Sequence, residues 1–206
     1  ELATLAKERV WQETQKALSS QSPWIYFEVL EVCGALHRLM PALTELLARR
    51  PQALNTLRLT SAASTRTEVR FTGVLYQLNK PQIEDLAKQI KLPNQHKALA
   101  LATSNHQRQL RAYTELEAAQ KHLLLSNLGF MRHTELLDDL LCLCQAITQT
   151  QEPLFGWQSP KQTMLDDLER IHAVKPASLM AQGFKGKALG EALKAAQIAC
   201  LSRSKT

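Results

Sequence analysis

The residues best placed to do chemistry lie near the end of the chain. Gly183-Phe184-Lys185-Gly186-Lys187 precedes a helical pattern with an apolar stripe at Leu189, Leu193, Ala196 and Cys200, and Lys194 falls outside that stripe. Glycines let backbone N–H groups approach an anion closely, and a helix start adds a favourable field for negative charge. Lys185, Lys187 and Lys194 add cationic heads. The chemistry this spacing suggests is phosphate binding, with Gly183, Lys185, Gly186, Lys187 and Lys194 as contacts. The same residues would also make a plain glycine turn between two helices.

Other chemistries find less support. None of the six histidines (His37, His96, His106, His122, His133, His172) stands four residues from another, the spacing of a helical metal pair, so each is expected at a surface or boundary. Asp138–Asp139 and Asp166–Asp167 are adjacent on helices, where neighbours diverge by about 100° and do not converge on one ion. They are read as solvated faces. Cys142-x-Cys144 lacks zinc spacing and a second pair, so no metal site is expected. No nucleophile elbow, Walker loop or dinucleotide glycine pattern occurs. Arg9 and Glu13 are spaced to pair along a first helix.

The elements that must position these residues are helical. Hydrophobic residues make up 45% of the 206 and aromatics only 5%, with leucine, alanine, glutamine and lysine abundant, and no β-branched alternation is long enough to seed a sheet. The class is all-α, a curved multi-helix bundle of about ten helices. Four scattered cysteines (Cys33, Cys142, Cys144, Cys200) read as reduced residues on apolar faces of a cytoplasmic protein. No apolar run approaches the roughly 20 residues that span a bilayer. The chain begins without methionine on a polar segment, so a piece of a longer protein and no signal peptide are expected. The net charge is +6, and most of the excess sits in residues 175–206, where Lys175, Lys185, Lys187, Lys194, Arg203 and Lys205 face only Glu191. A basic end on a nearly neutral body suggests a polyanionic partner.

Along the chain, a first helix runs from Leu2 to Leu18 with Leu2, Leu5, Val10, Ala17 and Leu18 inward. Ser22 and Pro23 read as cap and first turn of a second helix ended by Gly34. Its Ile25, Val29, Val32 and Leu36, widened by Tyr26, Leu30 and Cys33, predict burial on more than one side. Short helices follow from Pro41 and Pro51, then a Ser/Thr-rich loop over 61–67. Helices are predicted over 69–78, from Pro81, over 95–125 with a break near 106–111, over 134–147, and over 160–171 behind a Ser159 cap. A short helix over 176–182, a turn over 183–186 and a terminal helix to Leu201 complete the chain. The expected division is 1–66 for a helical start, 67–174 for a body and 175–206 for a basic tail.

Two separated stretches carry a family resemblance. Glu8, Arg9, Val10, Trp11 and Glu13, followed by Cys33-Gly34-Ala35-Leu36 and Met40–Pro41, resemble the segment after the nucleotide-binding neck of bacterial class II tRNA nucleotidyltransferases, the CCA-adding enzymes. Leu179–Leu193 (LMAQGFKGKALGEAL) is similar to the tail of the same family. The resemblance implies a C-terminal body and tail that hold tRNA while a preceding head builds the 3′-terminal CCA. It implies that Mg2+, ATP and CTP belong to that head, that no cofactor belongs to this region, and that DNA and membranes are not partners. It makes Arg9 and Glu13 supports of the neck. Bacterial poly(A) polymerases are close relatives, and a helical protein-interaction module stays open as a rival from another class.

Many family members carry a metal-dependent HD phosphohydrolase domain in their middle. Here Asn55-Thr56-Leu57 stands where the family has histidine-threonine-leucine, and Tyr76–Gln77 stands where it has His-Asp. Tyrosine and glutamine are poor ligands for a hard divalent ion, so the resemblance points to the subgroup without a functional HD domain.

Overall fold

The computed structural model describes residues 2–50 and 52–202, and every regular element among them is helical. The described residues form thirteen α-helices: α1 (Leu2–Leu18), α2 (Trp24–Val32), α3 (Ala35–Leu39), α4 (Pro41–Arg49), α5 (Ala53–Ala63), α6 (Thr67–Leu75), α7 (Lys80–Ile90), α8 (Asn94–Arg111), α9 (Ala118–Asn127), α10 (Leu137–Gln151), α11 (Lys161–Ala173), α12 (Pro176–Ala181) and α13 (Gly186–Ser202). A 3-10 turn at Tyr113–Glu115 lies between α8 and α9. No described helix is long and apolar enough to cross a membrane.

The chain gathers into two compact units. One comprises Glu1–Gln107 with Asp139–Trp157, and the other Arg108–Asp138 with Gln158–Thr206. The expected division at 66/67 falls inside the first unit, and that at 174/175 inside the second.

In the first unit the element buried on all sides is α6. Val69 through Leu75 are all buried, including the cationic Arg70. Arg70 Nε donates to Ser64 O at 2.6 Å, Nη1 to Leu18 O at 2.7 Å and Ser20 O at 2.9 Å, and Nη2 to Ser61 O at 3.1 Å. These carbonyls lie at the C-terminal ends of α1 and α5, where acceptors lack intrahelical partners and the helix dipole is negative. One guanidinium therefore ties three helices together. Gly73 permits the close approach of α5. A Cβ there would stand 2.6 Å from Thr60 Oγ1 and 3.2 Å from the Thr56 carbonyl oxygen.

Trp11 and Phe27 pack around Phe71, with ring centroids 6.2 Å and 5.9 Å away. Of α2, only Phe27 is buried, and Ile25, Val29 and Val32 are exposed. The prediction of burial on several sides is corrected. A helix apolar on every face carries no periodic signal for which face turns inward. Gly34 is left-handed as predicted (φ +70°), but Pro23 is already helical and no side chain caps α2. Along α1 the inward residues are Trp11, Thr14 and Leu18; Val10 and Ala17 are half-buried, and the side chains of Leu2 and Leu5 lie outside the described set.

Several boundaries move. The Ser/Thr-rich break shrinks to residues 64–66, because Thr60 and Ser61 hydroxyls donate back to α5 carbonyls instead of ending the helix. The break expected near 106–111 falls after Arg111, where Glu117 and Gln120 form a capping box that starts α9. Asn79 and Gln82 do the same for α7. Ser159 is not a cap; Pro160 takes that position without a side-chain bond. The helix expected from Pro51 begins at Ala53, and Pro51 itself lies outside the described residues.

The second unit is built on Asp167, which is buried on α11. It accepts from the Tyr113 hydroxyl at 3.0 Å, and Lys121 Nζ and Arg170 Nη1 stand 3.3 Å and 3.6 Å away. Burial, followed by the neighbouring Asp167 charge, pushes the Tyr113 phenol far above its ordinary pKa. Phe130, Met164, Leu168 and Ile171 are buried in this unit, and α13 packs on α9, α11 and α12.

Two expectations test the first unit. Replacing Arg70 with Met removes the charge and leaves four carbonyls without their donor. This should destabilise the chain by about 3 to 5 kcal/mol, and Lys should restore only part, as read by urea denaturation. His96 is buried, with Nε2 3.1 Å from Thr67 Oγ1 and its ring edge on Trp11 at 4.7 Å. Burial holds its pKa below the ordinary imidazole value, while the Glu68 charge opposes the shift. The unfolded chain then binds the proton more readily, so stability falls as pH drops below about 6.5. Thermal melts across that range should show this slope, and His96→Gln should flatten it.

Candidate functional site

The tail forms as predicted, with α12, a glycine turn and α13. Pro176 opens α12, and Gly183 closes it in a left-handed conformation at φ +95°. Its N–H donates to Met180 O at 3.0 Å, and Phe184 N–H donates to Leu179 O at 3.2 Å. These two amides are therefore used in ending α12. The donors without an intrahelical acceptor are those in the first turn of α13, at Gly186, Lys187 and Ala188. Gly186 enters that turn at φ +55°, which a Cβ would disfavour.

Lys185, Lys187 and Lys194 are exposed. Lys187 and Lys194 are seven residues apart, which puts them on one face of α13 about 10 Å apart along its axis. Glu191 lies between them and meets Lys187 at 3.7 Å, a weak pair because both side chains are largely in solvent. No ion pair of Lys185 or Lys194 occurs among the described residues. Arg203 and Lys205, counted in the basic excess, lie outside the described residues.

The apolar stripe of α13 is only half-buried at Leu189, Leu193, Ala196 and Cys200, and Leu201 is its buried residue. Gln197 secures the helix, with Oε1 3.0 Å from His122 Nε2. Sequence reasoning passed over Phe184 and Met180, which are exposed beside the lysines. An exposed aromatic ring next to lysines is a stacking surface for an unpaired base. Phe184 in the run Gly183-Phe184-Lys185-Gly186-Lys187 was the available signal.

The first helix departs from expectation in one contact. Glu13 meets Lys16 at 2.8 Å instead of Arg9, and all three side chains are exposed. Residues three apart on a helix are as close as residues four apart, so the two partners compete.

Several residues expected at the surface are structural. His96 and His122 are buried, each with a hydrogen-bond partner. Asp139 is buried and meets Arg66 Nη1 at 2.7 Å, whereas Asp138 is exposed and meets Lys161 at 2.7 Å. Asp167 anchors Tyr113. Each adjacent acidic pair does diverge, but one member turns inward because a cation or phenol distant in sequence receives it. Cys33, read as an apolar-face residue, is exposed; all four cysteines are free. No cluster of three or more metal-ligating side chains occurs among the described residues. Asn55 is exposed on α5 and accepts from Arg58 at 3.3 Å. Tyr76 and Gln77 follow the end of α6, and Gln77 Oε1 accepts from Arg50 at 3.3 Å.

Comparison with known proteins extends the resemblance over the whole chain. Residues 1–47 match the family model described as the probable RNA and SrmB-binding site of polymerase A. The chain is 31% identical to the multifunctional CCA protein of Teredinibacter turnerae, aligning over all of itself and 58% of that protein. It is 29% identical to the multifunctional CCA protein of Hahella chejuensis, over all of itself and 56% of that protein. It is 29% identical to the CCA-adding enzyme of Pseudomonas entomophila, over all of itself and 55% of that enzyme. The chain thus spans somewhat more than half the length of these relatives. The Pseudomonas match runs over 211 residues and the Teredinibacter match over 238, so the latter protein carries residues with no counterpart in these 206. No solved structure matches the chain.

Proposed function

We propose that this chain is the tRNA-holding, C-terminal part of a CCA-adding tRNA nucleotidyltransferase of the subgroup without a functional HD domain. The observation that carries the reading is the exposed Lys185, Lys187 and Lys194 around the start of α13, in a chain alike end to end to CCA-adding enzymes. In this reading the lysines contact tRNA phosphates, Gly183 and Gly186 shape the turn, and Phe184 stacks on an unpaired base. Duplex RNA has a deep groove that side chains do not read, so holding by phosphates and shape suits an enzyme that serves all tRNAs.

Nucleotidyl transfer needs carboxylates that hold Mg2+ with ATP or CTP, and in this reading they lie in an N-terminal head that is the chain's physical partner. Arg9 and Glu13, on the outer face of α1, would support the neck leading to that head. The protein would work in the cytoplasm, where tRNA is processed. Poly(A) addition by a related enzyme is the neighbouring alternative.

A second reading has its own observation. Ile25, Val29 and Val32 form an exposed apolar face on α2, within the segment whose family model is named for binding both RNA and SrmB. A protein partner is what such a face would accept.

By itself the chain is expected to add no nucleotide to tRNA lacking its CCA end when supplied with CTP, ATP and magnesium. Label entering the tRNA would place the catalytic carboxylates within these residues. The RNA contact is tested by replacing Lys185, Lys187 and Lys194 together with alanine. If each neutralises a phosphate, the slope of log affinity against log salt should flatten by roughly two to three units, alike for all tRNAs. Fluorescence anisotropy over a salt series reads this, with thermal melts as the folding control. An unchanged slope in the folded variant would remove the tail from the interface and favour the protein-binding reading.

A further inference from the structure

Tyr76 and Gln77, the pair that stands in place of metal ligands, line a cavity of about 310 Å3. Its wall comes from three separated places within the first unit. Arg50 and Gln52 flank the corner between α4 and α5, Tyr76 and Gln77 follow α6, and Thr150 and Gln151 end α10. A smaller cavity of about 140 Å3 adjoins it, sharing Arg50 and Gln77 and adding Arg49 and Glu45. No acidic side chain lines the larger cavity.

Two features point to a ligand. Tyr76 is only 6% exposed, yet it lines the cavity and its hydroxyl has no hydrogen-bond partner among the described residues. A hydroxyl open to such a space is free to donate to, or accept from, a ligand held there. The second feature is the fixed geometry of the wall. Gln77 Oε1 accepts from Arg50 at 3.3 Å, which orients the carboxamide and leaves its NH2 as a donor. Thr150 is held by Thr56 at 3.0 Å and by the Ala146 carbonyl at 2.8 Å.

The set is one guanidinium, three carboxamides and a phenol. Carboxamides present a donor and an acceptor side by side, the pattern that matches a nucleobase edge, and a guanidinium matches phosphate oxygens. The volume lies at the small end of ligand pockets, which begin near 300 Å3, and suits a single nucleotide, not a duplex. Three helices end at this wall while α5 begins there at Ala53, so the helix ends oppose one another and Arg50 is the cationic side chain that receives the phosphate.

We infer that this cavity is a binding site for one unpaired nucleotide, with the base edge against Gln52, Gln77, Gln151 and the Tyr76 hydroxyl and its phosphate on Arg50. The source could be a free mononucleotide or an unpaired nucleotide of RNA. The inference rests on the RNA reading for the second source only.

The test measures binding of AMP and CMP, and of unstructured octamers of A or C, to the chain, to Tyr76→Phe, to Arg50→Ala and to the lysine tail variant. Tyr76→Phe removes one oxygen and Arg50→Ala an exposed side chain, so both should fold, as melts will verify. Octamer affinity should fall about three- to tenfold in Tyr76→Phe and tenfold or more in Arg50→Ala, while the tail variant keeps the difference between them. Mononucleotide binding that falls by the same factors assigns the site to free nucleotides; octamer binding alone assigns it to RNA. Affinities unchanged in both cavity variants, or no binding of any of these ligands by the unaltered chain, would overturn the inference. If the tail variant alone weakens the octamer, the RNA reading stands and the cavity does not.

Discussion

The first unit depends on one buried cation. Arg70 carries its charge into the core without an ion pair to a carboxylate among the described residues, balanced by four backbone carbonyls. Those carbonyls would otherwise be orphan acceptors at the ends of α1 and α5, buried at Leu18 and part-buried at Ser20, Ser61 and Ser64. The guanidinium fork is suited to the task, because its donors point in several fixed directions at once. The arrangement orders α1, α5 and α6 around one atom group. Trp11, Phe27 and Phe71 fill the space beside it, and Gly73 lets α5 close in from the other side.

A comparable logic holds the second unit. Asp167 is buried and answered by Tyr113, Lys121 and Arg170, so the carboxylate is hydrogen-bonded and charge-balanced together. Lys121 also lies over the Tyr113 ring at 5.0 Å. The tail is different in kind. It is joined by a half-buried stripe, a single buried Leu201 and the His122–Gln197 bond, and its lysines face solvent. Buried polar groups set the geometry of the units, while the residues proposed to touch RNA add little to stability.

Much of this was legible from residue order. Gly34, Gly183 and Gly186 mark left-handed turns, and the α12–turn–α13 tail follows from Pro176 and the glycines. Other features were hidden. The α2 segment is more apolar than α6, yet α6 is enclosed and α2 exposes Ile25, Val29 and Val32. Apolar content shows that a helix can be buried, and the neighbours that reach it show whether it is. Asp139, His96 and Arg70 were misplaced or passed over for a related reason. A charged or titratable residue enters the core only when a partner awaits it; those partners stand 73 and 29 residues away for Asp139 and His96, and two of the four Arg70 partners stand about 50 residues away.

The sequence by itself determined the helical class, the glycine turns, the lysine-rich tail and the likeness to CCA-adding enzymes, because propensity, capping and short motifs act over a few residues. The tertiary structure decided which faces are enclosed, which acids become anchors, and that Tyr76–Gln77 meets Arg50 and Thr150–Gln151 around one cavity. Those outcomes depend on packing between segments far apart in the chain, and local periodicity carries no information about the partner.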